Sequence, residues 1–327
     1  MNTPRTEIRE EEIEREHAEL GLPPIEDEVA RPGKAPVMQI VTYLVMAMLL
    51  ALVAYFLYQL FIGKHERTGS EILVQTFHDP MFWSAVGVGF IAQVIDGALG
   101  MAYGVTSSSF LLAVGASPVM ASGATHLAEV FTTGISGVSH LRMGNVNKKL
   151  FLSLVIPGVT GGLIGTYVLS SIDGAVLKPW ISGYLLLMGL YVLSKAFRRI
   201  ILVRTDVSPT RVVPLALFGS FMDATGGGGW GPIVTTSLVG SGHDPRTTIG
   251  SVNFAEFFLT VAVSAAFFSI LDGSVWMIVG GLVAGGMFAA PFAAYITRHI
   301  KTRFLLIMVG VLISVISAYN LYGTLAK

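Results

Sequence analysis

Long apolar runs separated by short polar loops make up most of the chain from residue 37 onward. Seven of these runs are long enough, or nearly so, to cross a hydrocarbon core of about 30 Å as α-helices. They cover residues 37–62, 118–141, 150–172, 177–196, 246–270, 274–297 and 304–325. The fourth run is the shortest, and its terminal Lys178 and Lys195 must extend to the membrane interface. The pattern predicts an all-α polytopic membrane protein with seven spans.

Two further apolar segments, 82–117 and 211–244, are interrupted by glycine runs at 97–104 and 226–231. Each half of such a segment is too short to span the membrane alone. We therefore predict that each segment is a re-entrant helical hairpin that turns at its glycines.

Lysine and arginine cluster in three loops, at 142–149, 195–211 and 298–303. Cytoplasmic loops carry an excess of these residues, and all three lie inside only if the two hairpins open toward opposite sides. Four of the 21 bases then lie outside, namely Lys64, Arg67, Lys178 and Lys327. Three crossings follow each hairpin, so the second half is predicted to be inverted. In the cell (inner) membrane the N-terminus would be cytoplasmic and the C-terminus outside.

Residues 96–133 recur at 223–260 with a constant offset and no gap. The identical positions of the first copy are Asp96, Gly100, Gly104, Leu111, Gly115, Pro118, Gly123, Ala128, Glu129, Phe131 and Thr133. A repeated unit of this kind, with polar residues in apolar surroundings, is typical of transporters that bind substrate between two inverted repeats.

These patterns divide the chain into five parts. We expect an acidic cytoplasmic tail at 1–36, an extra N-terminal transmembrane helix at 37–62, a first transporter repeat at 82–197, a cytoplasmic linker at 198–211 and a second, inverted repeat at 212–325. The tail contains the run E-I-R-E-E-E-I-E-R-E, which fits either a short charged helix or a solvated segment.

Composition excludes several classes of protein. A chain that is 53% hydrophobic and 13% charged is not an ordinary soluble domain. Its bases are scattered between apolar runs, which excludes a nucleic-acid-binding face. It has no cysteine, hence no thiolate metal site. No catalytic, P-loop or dinucleotide motif occurs, so we expect no enzyme activity, no cofactor and no metal.

The glycine turns are the first candidate site. Glycine lets the backbone turn sharply or approach a ligand closely, and free N–H groups beside a helix N-terminus form an anion-binding concavity. Nearby hydroxyls could cap the outgoing helices or donate to the same anion; they belong to Thr106, Ser107, Ser108, Thr235 and Thr236. Alternatively, glycine only allows close helix packing. We prefer packing for Gly161 and Gly162 and a binding site for the run 226–229.

The acids come in matched pairs. Asp96 and Asp223 precede the two turns, where they could bind a cation or proton, or hold the turn by accepting N–H bonds; we favour the second role. Glu129 and Glu256 lie well inside spans, where a carboxylate costs about 2.5–3.5 kcal/mol unless it is protonated, paired or hydrated. They could serve coupling or simply stiffen the core.

Residues three positions before these glutamates offer hydrogen-bond donors. His126 shares a helix face with Glu129, and Asn253 shares one with Glu256. Histidine changes charge near neutral pH, so His126 could take up a proton with the substrate and pass it to Glu129. The matched aromatic residues Tyr103 and Trp230 suit either packing or substrate contact.

The motifs together resemble the sulfite exporter TauE/SafE family over about residues 82–325. The matching segments are I-D-G-A-L-G-M-A-Y-G-V-T-S-S (95–108), H-L-A-E-V-F-T-T-G-I-S-G-V-S-H (126–140), G-N-V-N (144–147), G-G-G-G-W-G-P (226–232) and N-F-A-E (253–256). The resemblance implies a permease for sulfite or small organosulfonates, usually in the export direction. It points to Gly97, Gly100, Gly104, His126, Gly226, Gly227, Gly228, Gly229 and Asn253 as site residues.

Three hypotheses follow. The first is a secondary transporter that exports a small sulfur-containing anion by alternating access. The anion would bind between the two turns near the membrane midplane, and its transport could be coupled to protons. Its substrate site combines the residues from the resemblance with Thr106 and Trp230. The second is a proton- or sodium-coupled carrier of a cation or neutral solute, because four acids and no Lys or Arg are expected in the core. The third is a membrane scaffold or sensor. The sequence does not indicate an oligomeric state.

Overall fold

The computed structural model describes residues 15–16, 19, 36–62, 69–99, 101–197, 208–271, 275–299 and 301–326, and within them the chain is all-helical without a strand. The helices are α1 (Pro36–Ile62), α2 (Gly69–His78), α3 (Pro80–Leu99), α4 (Tyr103–Ala113), α5 (Pro118–Arg142), α6 (Lys148–Ser171), α7 (Gly174–Lys195), α8 (Pro209–Gly226), α9 (Thr236–Gly240), α10 (Pro245–Phe268), α11 (Val275–His299) and α12 (Thr302–Leu325). A π-helical turn at Gly231–Thr235 precedes α9.

Each of the seven predicted spans is a single helix of 22 to 27 residues. Capping residues at the polar boundaries fix where several of them begin. Ser117 accepts a hydrogen bond from Met120 N at the start of α5, and Asp244 accepts one from Thr247 N at the start of α10. Within the described residues, α6, α7, α10 and α12 are long and apolar enough to cross a membrane.

Large apolar side chains cover the outer surface of the helix bundle. Trp180 is 77% exposed, Tyr167 72% and Ile156 71%. A surface with so many exposed aromatic and aliphatic groups is unfavourable in water and favourable against lipid. The architecture is that of a polytopic membrane protein.

The two glycine-interrupted segments are helix pairs of unequal length. The incoming helix α3 has 20 residues and the outgoing helix α4 has 11. At 1.5 Å per residue, α3 is about 30 Å long, as long as the hydrocarbon core. Its apolar part, Pro80–Asp96, is nevertheless shorter than the four spans named above. The prediction that neither half of this segment crosses the membrane alone stays a prediction.

Helices of the two halves begin at corresponding positions. The starts of α5 and α10, Pro118 and Pro245, are separated by the same offset as the sequence repeat, and so are those of α6 and α11, Lys148 and Val275. Helix packing is also related by this offset: each packed pair of helices corresponds either to another pair or to itself when the two halves are exchanged. The pairs α3–α11 and α6–α8 correspond to each other, whereas α5–α10 and α7–α12 each pair a helix with its own counterpart.

The helices that pack on their own counterparts are antiparallel. Along α5, Gly123 faces Phe267 and Gly137 faces Phe254, so the contact moves backward along α10. The hydroxyls of the equivalent residues Thr133 and Thr260 lie 3.4 Å apart near the middle of this crossing. Glycine permits close helix contacts elsewhere: an added Cβ at Gly161 would overlap Leu217 O, and one at Gly162 would overlap Leu259, which confirms the packing interpretation.

The N-terminal parts lie beside this core. Helix α1 packs on α5 through Val45 and Leu49. Most of the predicted tail, like residues 198–207 of the predicted linker, lies outside the described residues. Within the tail, Glu19 accepts a hydrogen bond of 2.7 Å from the Arg303 guanidinium, and Glu16 accepts one of 3.3 Å from Arg303 N. The tail thus contacts the start of α12.

Candidate functional site

Each glycine turn is closed by its aspartate. In the second hairpin Asp223 Oδ1 accepts a hydrogen bond of 3.0 Å from Trp230 N, and Gly227 takes up a left-handed conformation with φ 72°. In the first hairpin the Asp96 carboxyl lies beside the backbone N–H of Tyr103, next to left-handed Ala102. The two aspartates thus face backbone N–H groups at equivalent positions, and their role in holding the turns stays a prediction.

The hydroxyls after the turns do not cap the outgoing helices as expected. The N-cap of α4 is Ala102, and that of the π-helical turn is Trp230, neither with a side-chain cap. The Thr106 hydroxyl is buried and has no hydrogen-bond partner within the described part of the chain. The Ser108 hydroxyl instead donates to Gly227 O and thereby joins the two hairpins.

The two turns meet backbone to backbone. A Cβ added at Gly104 would lie 2.8 Å from Gly228 Cα, and one added at Gly228 would overlap Val105 N. Tyr184 of α7 holds this contact, because its hydroxyl donates a hydrogen bond of 2.7 Å to Gly228 O. The Tyr184 ring also packs against the glycines on either side of the turn. Sequence reasoning missed Tyr184, which looks like any other aromatic residue in a span.

A small cavity lies where the turns meet, with room for about one or two water molecules. It is lined by Asp96, Met101, Ala102, Tyr103, Gly104, Val105, Glu129, Thr132, Thr133, Asp223, Gly229, Gly231, Pro232 and Glu256. Ten of these residues form five pairs related by the repeat offset: Asp96 and Asp223, Ala102 and Gly229, Gly104 and Gly231, Val105 and Pro232, Glu129 and Glu256. Both halves therefore contribute equivalent surfaces to the cavity.

The cavity is rich in carboxyl groups. All four predicted acids line it, and no Lys, Arg or His side chain does so within the described residues. Four ionised carboxylates cannot share so small a space, because like charges repel strongly at short range. At least some of these groups must therefore carry protons or pair with donors. Within the described residues, no group of three or more acidic or histidine side chains has the geometry of a metal site.

His126 is completely buried beside the cavity, and its partner is in the other half of the chain. Nε2 lies 3.1 Å from Asp223 Oδ2, and Nδ1 lies 2.8 Å from Ser122 O. A carbonyl only accepts, so Nδ1 carries a proton. A second proton must then lie between Nε2 and Oδ2, on either atom. The pair as a whole has no net charge. The suggested partner on the same helix, Glu129, instead lies against Gly104.

The other predicted site residues lie at different distances from the cavity. The indole of Trp230 packs on Gly158 and donates to Val252 O, and Asn253 Nδ2 donates to Ser136 Oγ at 3.0 Å. Neither residue lines the cavity. Gly97 is in the last turn of α3, and Gly100 lies outside the described residues. Substrate contact by these residues stays a prediction.

The location predicted for Lys195 from the sequence is wrong. It was expected at the membrane interface, but it is only 8% exposed, and its Nζ lies 2.9 Å from Thr236 Oγ1 and 3.1 Å from Met101 Sδ. The expected core without Lys or Arg is therefore wrong. Helix periodicity gave a usable signal, since Lys195 follows buried Leu185 and Val192 at helical spacing on the same face.

Comparison with known proteins places the chain in a family. It is 44% identical over 241 residues to the probable membrane transporter protein YtnM of Bacillus subtilis (strain 168), covering 72% of this chain and 80% of that one. It is 27% identical to the probable membrane transporter protein ORF9 of Sinorhizobium sp, covering 61% and 76%. No solved structure matches the chain.

A further relative is the probable membrane transporter protein YunE of Bacillus subtilis (strain 168), 22% identical with 72% of this chain and 96% of the relative covered. The family model for the sulfite exporter TauE/SafE matches residues 85–320, which contain both glycine turns and both copies of the repeat. The resemblance drawn from the motifs is confirmed, and the chain belongs to the sulfite exporter TauE/SafE family.

Proposed function

We propose that this protein is a secondary transporter that exports a small sulfur-containing anion, such as sulfite or an organosulfonate, by alternating access. The family supports this proposal through its name, and the names of the relatives above describe membrane transporters. The observation that carries it is the cavity between the two glycine turns, to which the two halves contribute five equivalent pairs of residues.

Antiparallel packing of equivalent helices supports an inverted repeat. When α5 and α10 run in opposite directions and contact each other at Thr133 and Thr260, the axis that exchanges the halves is perpendicular to both helices. Helices that cross a membrane then place this axis in the membrane plane. A cavity on such an axis is opened toward either side by equivalent movements of the two halves, which is the geometric requirement for alternating access.

The proposed orientation keeps the basic loops and the acidic tail in the cytoplasm. The contact of Glu16 and Glu19 with Arg303 supports it, because a soluble tail can reach only loops on its own side of the membrane. The N-terminus would then be cytoplasmic, and the C-terminus, after an odd number of crossings, would be outside. In this orientation the chain crosses the cell membrane seven times and has two re-entrant hairpins.

The anion is held chiefly by backbone donors in this mechanism. Gly104 and Gly231 occupy equivalent places in the first turns of the outgoing segments, where N–H groups have no partner within the helix. Such groups bind anions without a fixed positive charge. The surrounding carboxyl groups bind alongside the anion only in their protonated, hydrogen-bond-donating form.

Proton coupling follows from the His126–Asp223 pair. With its shared proton the pair is neutral, and without it the pair carries one negative charge beside the cavity. An anion is therefore bound better by the protonated pair, and proton loss favours its release. Transport of the anion together with a proton also lowers the net charge that crosses the membrane.

The test is flux through the purified protein in proteoliposomes. Vesicles loaded with isotope-labelled sulfite, sulfoacetate, taurine, sulfate or thiosulfate should release one or more of the sulfur anions faster than protein-free vesicles, and an imposed proton gradient should change the rate. Release of none of these anions, by a protein that is folded and inserted, would contradict the proposal and leave the scaffold or sensor hypothesis.

A second candidate function has its own supporting observation. Four carboxyl groups in one cavity are a better match for protons or a cation than for an anion. A proton- or sodium-coupled carrier of a cation or neutral solute would use them directly. Charge specificity separates the two candidates. Inhibition of transport by organic cations or by neutral sulfones, without inhibition by sulfonates, would favour the second candidate function.

A further inference from the structure

Lys195 is a buried cation that has no acidic partner in the part of the chain that the structure describes. Its ammonium donates to a hydroxyl, Thr236 Oγ1, at 2.9 Å and to a thioether, Met101 Sδ, at 3.1 Å. Across the described residues, no carboxylate lies within ion-pair distance of it. Removing a charge from water without a counter-charge is strongly unfavourable, so this arrangement calls for a compensating function.

The present partners of Lys195 leave room for a better one. A thioether sulfur is only a weak acceptor, whereas a sulfite or sulfonate oxygen accepts a charge-assisted hydrogen bond of roughly twice the strength of a neutral one. Met101 also lines the cavity between the turns, so one residue with a flexible side chain contacts both the ammonium and that cavity. A movement of this one side chain would bring the ammonium and the cavity together.

We propose that Lys195 and the Thr236 hydroxyl form an oxyanion subsite beside the cavity, and that Met101 occupies it when no anion is bound. This inference rests on the proposed function and assigns a residue that supplies positive charge to the anion. The sulfur head group takes the place of the Met101 thioether, accepts from Nζ and accepts from the Thr236 hydroxyl. The backbone donors of the turns bind it in the next step.

The subsite exists in one half of the molecule only. The position equivalent to Lys195 in α12 is Tyr322, which is 73% exposed. In the proposed orientation Lys195 lies at the cytoplasmic end of α7. An ammonium on this side raises the affinity of the inward-facing site for the anion, which fits loading from the cytoplasm.

The experiment measures binding of methanesulfonate, a sulfonate whose single charge does not titrate, to the purified full-length protein by calorimetric titration. Lys195→Met keeps the side-chain length and removes the charge, and it should weaken binding about 10- to 100-fold. Lys195→Arg should keep most of the affinity. The matched control is Lys178→Met, at the other end of the same helix, which should bind like the wild type. Dimethyl sulfone, a neutral analogue, should be insensitive to all three changes.

A second variant keeps the test decisive if Lys195→Met does not fold. Met101→Leu retains the ammonium and removes its competing acceptor, so it should bind methanesulfonate more tightly than the wild type. A folded Lys195→Met with wild-type affinity, or a Met101→Leu with no gain, would overturn the subsite and leave the transporter proposal standing. A wild-type protein that binds neither methanesulfonate nor sulfite would overturn the transporter proposal, and the subsite with it.

Discussion

His126 and Asp223 come from different halves of the chain, and their pairing links the two halves through one proton. Ser122 O fixes the proton on Nδ1, and the Ser122 hydroxyl is itself committed to Ala224 O at 2.6 Å. The second proton therefore decides the charge of the pair. Asp223 also holds the second turn through Trp230 N, so the charge state of this carboxyl and the shape of the turn are connected.

This pair predicts how anion binding depends on pH. Loss of the shared proton would leave the pair with one negative charge, so anion affinity should fall as pH rises. His126→Gln keeps a donor toward Asp223 but cannot hold the extra proton, and it should flatten the dependence. His140→Gln, near the cytoplasmic end of the same helix, is the control. Methanesulfonate titrations at several pH values provide the measurement, and an unchanged slope in His126→Gln would remove His126 from the mechanism.

Asp223→Asn separates proton binding from the structural role. An asparagine can accept from Trp230 N through its oxygen and donate to His126 Nε2 through its amide, so both contacts are retained. We expect thermal stability close to that of the wild type and pH-independent binding. Equal pH dependence in Asp223→Asn and the wild type would mean that Asp223 serves only the turn.

Residue partners were the part of the site that the sequence predicted least well. Helical spacing suggested Glu129 as the partner of His126, because neighbours on one helix are visible in the sequence and contacts between distant segments are not. The same limit applies to Tyr184, whose bond to Gly228 O joins positions 44 residues apart. The aspartates are different: their position directly before each turn predicted a local contact, and the backbone N–H groups of Tyr103 and Trp230 provide it.

The two turns form one structural element, because neither glycine run has space for a side chain where they meet. Gly228→Ala should lower the free energy of unfolding by about 1–3 kcal/mol, since the new Cβ overlaps Val105 N and φ is 154°. Gly115→Ala is the matched control, with φ 99° and nothing within 4 Å of the added Cβ. Thermal unfolding in detergent compares them. Equal destabilisation by the two changes would show that the contact between the turns adds nothing beyond backbone strain.

Hydropathy predicted the helices well because long apolar runs bounded by polar caps leave few alternatives for the backbone. Shorter features were missed. Helix α2, with ten residues, is too short and too polar to stand out as a span. The π-helical turn at Gly231–Thr235 was missed as well; Pro232 replaces Val105 at its start and removes one backbone donor. The outgoing segments of the two hairpins thus differ in detail although their positions correspond.

At the scale of the whole molecule, a nearly symmetric core carries asymmetric additions. Helix α1 and the acidic tail have no counterpart in the second half, and the tail contacts the first turn of α12 through Arg303. The buried Lys195 is matched by an exposed tyrosine. In the proposed alternating-access mechanism, a symmetric core would make the inward- and outward-facing states similar in energy. The asymmetric parts would then make the two states unequal in energy and give transport a direction.

The arrangement of the halves in the membrane can be tested with two cysteines, since the chain has none of its own. Lys149 and Ile270 are both exposed and follow the equivalent helices α5 and α10. We expect a membrane-impermeant thiol reagent to label Ile270→Cys in intact cells and Lys149→Cys only after permeabilisation. Labelling in the reverse pattern would overturn the proposed orientation and leave the inverted repeat intact. Labelling of both from the same side would contradict the inverted repeat itself, because the C-terminal ends of two antiparallel spans must lie on opposite sides of the membrane.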